Sequence, residues 1–291
     1  MHCVILDIRV IIGKVCNAFA FYKGVNLTMN RPCKELKRIA RENLSGQYRT
    51  SMGAILVLGI IPLAAELPFS MLQNPQQPIG QTIIFYVADF LISLITFLLS
   101  AGVICLNLNI ARNRKASLRM VFFAFKNHPD RFLLAGILLT LLTVAAAVPA
   151  GLGIFLYYIT EGNAWGIVRL IMLVLLSVLL IAFVQLQYAL TVYFMLDRQE
   201  LGVVEALQTS RKAMKGNRKR LLYQFFSFLG LHVLSILSLG IGYLWVLPYQ
   251  FQTTSNLYLD ITGELDQVQM QKNANQTQNQ QQGQPTFNQY I

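Results

Sequence analysis

The chain is a succession of apolar runs joined alternately by strongly basic and nearly uncharged connections, and few folds tolerate that pattern. The runs cover residues 51–72, 80–108, 132–159, 166–196, 221–239 and 241–258. A helix of about 20 apolar residues crosses a bilayer. Unpaired backbone is costly in lipid, so each run must be helical or lie buried in protein. The connections at 73–79, 160–165 and 239–241 hold one charge between them, Glu161, whereas those at 109–131 and 197–220 are strongly basic. Lys and Arg stay on the cytoplasmic side of spans. The reading is an all-α polytopic bundle of six spans in the cell membrane, with both termini cytoplasmic. The sixth run is the weakest, carrying Pro248 and ending in Gln250, Gln252, Thr253, Thr254, Ser255 and Asn256.

Composition agrees. Only 13% of residues are charged, 55% are hydrophobic and the mean hydropathy is +0.49. A soluble chain carries about 25% charged residues, so a soluble enzyme, a disulfide-rich secreted domain and a wholly disordered chain are excluded. The net charge of +11 would suggest nucleic acid on a soluble domain. Here 19 of the 24 Lys and Arg fall in residues 30–49, 112–131 and 197–220, each beside an apolar run. The charge therefore records topology, and no nucleic-acid partner is expected. The expected partners are the bilayer, anionic headgroups at its inner leaflet, and other proteins.

Residues 1–28 differ from the rest. Asp7, Arg9, Lys14 and Lys23 interrupt their apolar character, and no signal-peptide order is present. From Met29 a charged amphipathic stretch leads into the first span. The expectation is a natural start at Met29, with 1–28 a non-native or disordered extension and 29–262 the membrane domain. At the other end, ten Gln and four Asn fall among the 25 residues from Gln267. Without apolar periodicity, residues 263–291 are expected to be a disordered cytoplasmic tail.

Three segments resemble one another: 34–56, 117–138 and 203–224. Each has apolar residues at helical spacing, such as Leu36, Ile39, Ala40 and Leu44, or Val203, Ala206, Leu207, Ser210 and Met214. Each reaches a breaker, namely Gly46, the run Asn127-His128-Pro129, or Gly216-Asn217, and then basic residues and a span. The expected unit is a juxtamembrane amphipathic helix plus a hairpin of spans, used three times. In the third, Leu201, Val204, Leu207 and Met214 are expected to face lipid or protein. Arg211, Lys212, Lys215, Arg218, Lys219 and Arg220 form a basic cluster for the membrane surface.

Charges inside spans are functional candidates by default. Asp89 falls within the second run, Glu66 between Pro62 and Pro68 in the first, and Arg169 near the start of the fourth. Together they suggest an outward polar cavity. Pro149, with Gly151 and Gly153, suggests a kinked or broken third span. The four cysteines have no metal-ligand spacing, and no phosphate-binding or dinucleotide glycine pattern occurs. No cofactor, metal or catalytic constellation is expected, and the chain is read as non-enzymatic. A scaffold organising partners or lipids comes first. A carrier or channel using the Asp89 cavity is the alternative, and a lipid-modifying enzyme comes last.

The segments SRKAMKGNRKRLLYQFFSFLG, LSLGIGYLWVLPY and SNLYLDI, with the opening LKRIARENLSGQYRTSMGAIL, resemble the bacterial integral membrane family known as domain of unknown function 975, found mainly in Gram-positive bacteria. The resemblance covers roughly residues 30–262. It implies six spans with both ends inside, and it supplies no activity or catalytic residues.

Overall fold

A computed structural model describes residues 31–72, 78–160 and 163–282. The expectation for residues 1–28 and the side chain of Glu161 lie outside the described residues. The described chain is helical. An amphipathic helix α1 (Cys33–Leu44) precedes the hairpin of α2 (Tyr48–Leu72) and α3 (Ile79–Ala111). A 3₁₀ turn (Leu118–Phe122) and short α4 (Phe123–Lys126) precede the hairpin of α5 (Pro129–Ile159) and α6 (Ala164–Tyr188), which continues into α7 (Thr191–Asp197). Then come α8 (Val203–Met214), the hairpin of α9 (Arg218–Leu237) and α10 (Tyr243–Ile261), and α11 (Leu265–Gln282).

Among the described residues, five helices are long and apolar enough to cross a membrane: Tyr48–Leu72, Gly80–Ala111, Pro129–Ile159, Ala164–Asp197 and Arg218–Leu237. The sixth expected span, α10, does not meet that measure. It lies among α1, α2, α3 and α9, with Gln252, Thr253, Ser255 and Asn256 fully buried. Its polar side chains meet protein rather than lipid, which is why its hydropathy is low. Gln224 Nε2 donates to Thr254 Oγ1 at 2.8 Å and Asn256 Nδ2 to the Leu36 carbonyl at 3.3 Å. With its amide oriented to donate, Gln252 gives an N–H to the Asn107 carbonyl at 3.0 Å and accepts from the Ala111 N–H at 3.1 Å. Buried polar groups are tolerated where such partners exist.

Packing is uneven along the bundle. At the end bearing the basic loops, three clusters of buried apolar side chains surround the ends of α3, α7 and α10. Towards the far end the helices expose large apolar side chains, among them Ile60, Met71, Ile84, Val148, Phe155 and Leu179. Such surface suits lipid.

The amphipathic helices are built into the basic end. Leu36, Ile39, Ala40 and Leu44 of α1 are buried, as are Val203, Ala206, Leu207, Ser210 and Met214 of α8. Of the positions expected to face lipid or protein, Leu207 and Met214 are buried in protein, Leu201 is half-buried and Val204 is 57% exposed, because the protein-facing stripe at spacings of three and four runs from Val203. Helix α1 packs on α10, the 3₁₀ turn with α4 on α3, and α8 on α6 and α7. After each amphipathic segment comes a residue with left-handed backbone: Gly46 (φ 84°), His128 (φ 53°) and Gly216 (φ 97°). These are the expected breakers, ending each helix and turning the chain into a span.

Helix α5 runs continuously through Pro149, so of the expected kink or break there is no break. Ser177 Oγ of α6 accepts from the Ala150 N–H at 2.7 Å, so a neighbouring helix serves the backbone beside the proline. Within the stretch from Gly263, residues Leu265–Gln282 form helix α11, whose first turns dock on the basic end through Leu265 and Val268, and Lys272 Nζ donates to Asn43 Oδ1 at 3.1 Å. Glutamine is a good helix former once an anchor exists.

Candidate functional site

Glu66, Asp89 and Arg169 are all exposed, and among the described residues no ion pair joins them. Helix α5 packs against both α3 and α6. Arg169 Nη2 instead donates to Thr160 Oγ1 at the end of α5, at 3.1 Å.

Charge converges at the basic end, where the termini of α3, α7 and α10 meet. Arg112, just beyond α3, is a fork between two carboxylates. Its Nη1 and Nη2 donate to the two oxygens of Asp197 at 2.7 Å each, and its Nε and Nη2 donate to Glu264 at 2.7 Å each. Tyr258 Oη of α10 donates to Asp197 Oδ2 at 2.7 Å. Its ring stacks on Tyr193 of α7 at 5.1 Å and meets Phe194 edge-on at 5.2 Å. One planar guanidinium thus joins three helix ends, a task that suits arginine and not lysine. Burial alone would lower the pKa of Arg112, but its hydrogen bonds to Asp197 and Glu264, with their charges, outweigh it and raise the pKa.

A second knot lies beside the first. Asp260, its side chain 2% exposed, pairs with Arg220 at the start of α9 and lies 4.0 Å from Arg31 Nε. Arg31 also pairs with Asp266 and Glu35, and Arg220 Nη2 donates to the Arg31 carbonyl at 2.9 Å. Between the two knots is a pocket of about 1010 Å³, bordered by Cys105, Asn109, Arg114, Tyr258, Asp260 and Glu264 among others. Ser210 of α8 completes the frame. Its Oγ donates to the Gln187 carbonyl at 3.2 Å and accepts from the Leu190 N–H at 3.3 Å, fixing the junction between α6 and α7.

The expected basic cluster divides in two. Arg211, Lys212, Lys215 and Lys219 are exposed. Arg218 lies over the Phe183 ring at 4.9 Å and Arg220 is held by Asp260. These two guanidiniums serve the fold because aromatic and carboxylate partners lie within reach of their span.

Sequence reasoning missed Arg112, Asp197, Tyr258, Asp260 and Glu264. A signal was present. Asp197, Asp260 and Glu264 follow the ends of even-numbered apolar runs, where the charge rule calls for Lys and Arg. An acid there asks for a basic partner.

Five long apolar helices, closed at one end by buried amphipathic helices and ion pairs, mark a helical membrane protein. The chain belongs to the family described as Protein of unknown function (DUF975), whose pattern matches residues 29–264. No curated protein and no solved structure matches it.

Proposed function

We propose that the protein is a non-enzymatic scaffold of the plasma membrane that organises anionic lipids or protein partners at its basic, cytoplasmic face. The observation supporting this is the division of labour at that end. Arg112, Arg31 and Arg220 are consumed in locking the helix ends together, while Arg211, Lys212, Lys215 and Lys219 stand outside on the rigid frame so formed. A rigid basic ridge beside apolar helices suits the headgroups of an anionic leaflet.

The proposal includes six crossings, arranged as three similar units in a ring. Helix α10 returns from the exposed turn at Leu239 to the basic end, where Asp260 meets Arg220. Each amphipathic segment packs on the second helix of another unit's hairpin: α1 on α10, the 3₁₀ turn with α4 on α3, and α8 on α6. A reporter fused behind Gln282 is expected to read cytoplasmic, and one inserted between Gln73 and Pro78 extracytoplasmic. Either reading reversed refutes the topology.

The scaffold reading is tested by lipid retention. The protein is purified into nanodiscs of mixed phosphatidylglycerol and phosphatidylcholine, and bound lipid is measured by native mass spectrometry. The wild type should enrich phosphatidylglycerol. Each basic side chain near an anionic surface contributes about 1 kcal/mol, so replacing Arg211, Lys215 and Lys219 with Gln should weaken that enrichment by more than about tenfold. Unchanged enrichment counts against a lipid-organising face.

A further inference from the structure

Arg218 stands at the basic end of a groove that neither the ion-paired knots nor the basic ridge uses. Its guanidinium lies over the Phe183 ring of α6 at 4.9 Å. Unlike Arg220, it joins no ion pair among the described residues. Its Nε–H is buried and has no acceptor. A guanidinium stacked on a ring still presents its N–H groups edgewise, in its own plane. A buried donor left unserved is costly, and a cation with a free edge suits an anionic acceptor.

The contact between Arg218 and Phe183 fixes which faces of α6 and α9 look at each other. Met172, Leu176 and Leu179 share the Phe183 side of α6, at steps of three and four residues. Leu222, Phe225 and Leu229 share the Arg218 side of α9 in the same way. All six are exposed. Helices packed along their whole length would bury these side chains against each other, so α6 and α9 part beyond the Arg218 contact and leave an apolar groove. Their other flanks are taken. Ser177 of α6 meets Ala150 of α5. Phe228 of α9 meets Tyr249 of α10 edge-on at 5.0 Å. Helix α1 covers a further side of α9, where Lys37 Nζ donates to the Ser227 carbonyl at 2.9 Å.

We propose that this groove holds one anionic phospholipid, its phosphate against Arg218 and its acyl chains between α6 and α9. The proposal rests on the lipid reading of the basic end given above and adds to it one discrete site. The shape of the groove favours this occupant. From Arg218 to Leu229, and from Phe183 back to Met172, the lining runs eleven residues, or about 16 Å of helix. One leaflet of a hydrocarbon core roughly 30 Å thick has about that depth. Arg218 opens α9, and Phe183 stands five residues before the end of α6 at Tyr188, so the cation sits where the chains of an inner-leaflet lipid meet its headgroup. A soluble anion would leave the apolar walls uncovered, and an apolar peptide would leave the Arg218 edge unserved. Basic positions between spans on the cytoplasmic side are where acidic headgroups bind.

Titration of the delipidated full chain in detergent tests this, with native mass spectrometry counting bound lipid and size exclusion selecting variants that fold. The wild type should bind one dioleoyl phosphatidylglycerol well ahead of further copies and more tightly than it binds dioleoyl phosphatidylcholine, and inorganic phosphate should not compete. Arg218→Gln should weaken the first binding step about tenfold, the loss expected for a charge-assisted hydrogen bond. Leu176→Trp with Leu229→Trp fills the groove without touching Arg218 and should weaken it comparably. A phosphatidylglycerol carrying a diazirine in its acyl chain should label both the 172–183 and the 222–229 segments. The variant lacking Arg211, Lys215 and Lys219 should keep the first step within about twofold, since one exposed charge contributes little there. The outcomes separate the two readings: the ridge fails if nanodisc enrichment survives that triple substitution, whereas the groove fails if Arg218→Gln and the paired Trp substitutions both bind like the wild type. Loss of the first step in the triple variant, or labelling of only one of the two helices, also overturns the groove. Absence of any preferred first lipid means that another segment or a second copy covers it, and overturns the proposal as well.

Discussion

Replacing Arg112 with alanine should destabilise the protein by about 3 kcal/mol, the lower range for breaking a buried ion pair by removing one partner. The arginine side chain is 14% exposed, and its loss strands Asp197 and Glu264 side by side at 21% and 31% exposure. Two neighbouring carboxylates without a cation repel, and Tyr258 can donate to only one of them. Thermal unfolding in detergent, followed by loss of the monodisperse size-exclusion peak, reads the effect. Arg112→Lys should recover less than half of it, because an ammonium cannot present paired donors to two carboxylates at once. Full recovery by lysine would mean that net charge, and not the fork geometry, holds the three helix ends.

Gly102→Ala should be comparably damaging for a steric reason. A Cβ at Gly102 would stand 1.8 Å from the Val121 carbonyl oxygen and 2.7 Å from its Cα. The obstacle is backbone, which cannot rotate aside, so the 3₁₀ turn must leave the surface of α3. Overpacking commonly costs 1–3 kcal/mol, and a clash with main chain belongs at about the upper limit of that range. The expected outcome is detachment of the 113–128 segment, read as faster tryptic cleavage at Arg114, Lys115, Arg119 or Lys126 in inside-out vesicles, whose cytoplasmic face is exposed. Gly151→Ala and Gly230→Ala are the controls. A Cβ at either meets nothing within 4 Å, and both substitutions should leave the melting curve in place. If Gly102→Ala behaves like these controls, the close approach of the two backbones is not real in the protein.

The two substitutions also separate what is local from what is not. A run of apolar residues, a Gly breaker or a block of Lys and Arg carries its physical consequence within about 20 residues, because the bilayer acts on each helix in turn. The sequence alone therefore determined the all-helical class, five of the six expected apolar runs as helices long enough to cross a membrane, the amphipathic helices before the odd-numbered runs, and the turns at Gly46, His128 and Gly216. It also carried the family, through motifs spread over most of the chain.

What depended on closure of the bundle was hidden. Arg112 meets partners 85 and 152 residues away, and nothing near Arg112 marks it out from the other arginines of its loop. The low hydropathy of α10 reads as a failing span until its neighbours are known. Once α1, α2, α3 and α9 surround it, Gln252 and Asn256 become buried hydrogen-bonding groups and the helix needs no lipid-facing surface. Asp89 and Arg169 are complementary in charge, but among the described residues no ion pair joins them, and Arg169 donates to Thr160 at the end of α5. Helix Leu265–Gln282 carries few apolar residues, and its first turns are held where Leu265 and Val268 dock on the core. In each case the sequence stated what a side chain can do, and the packing of distant helices chose its partner, because polar interactions require contact within a few ångströms while hydropathy does not.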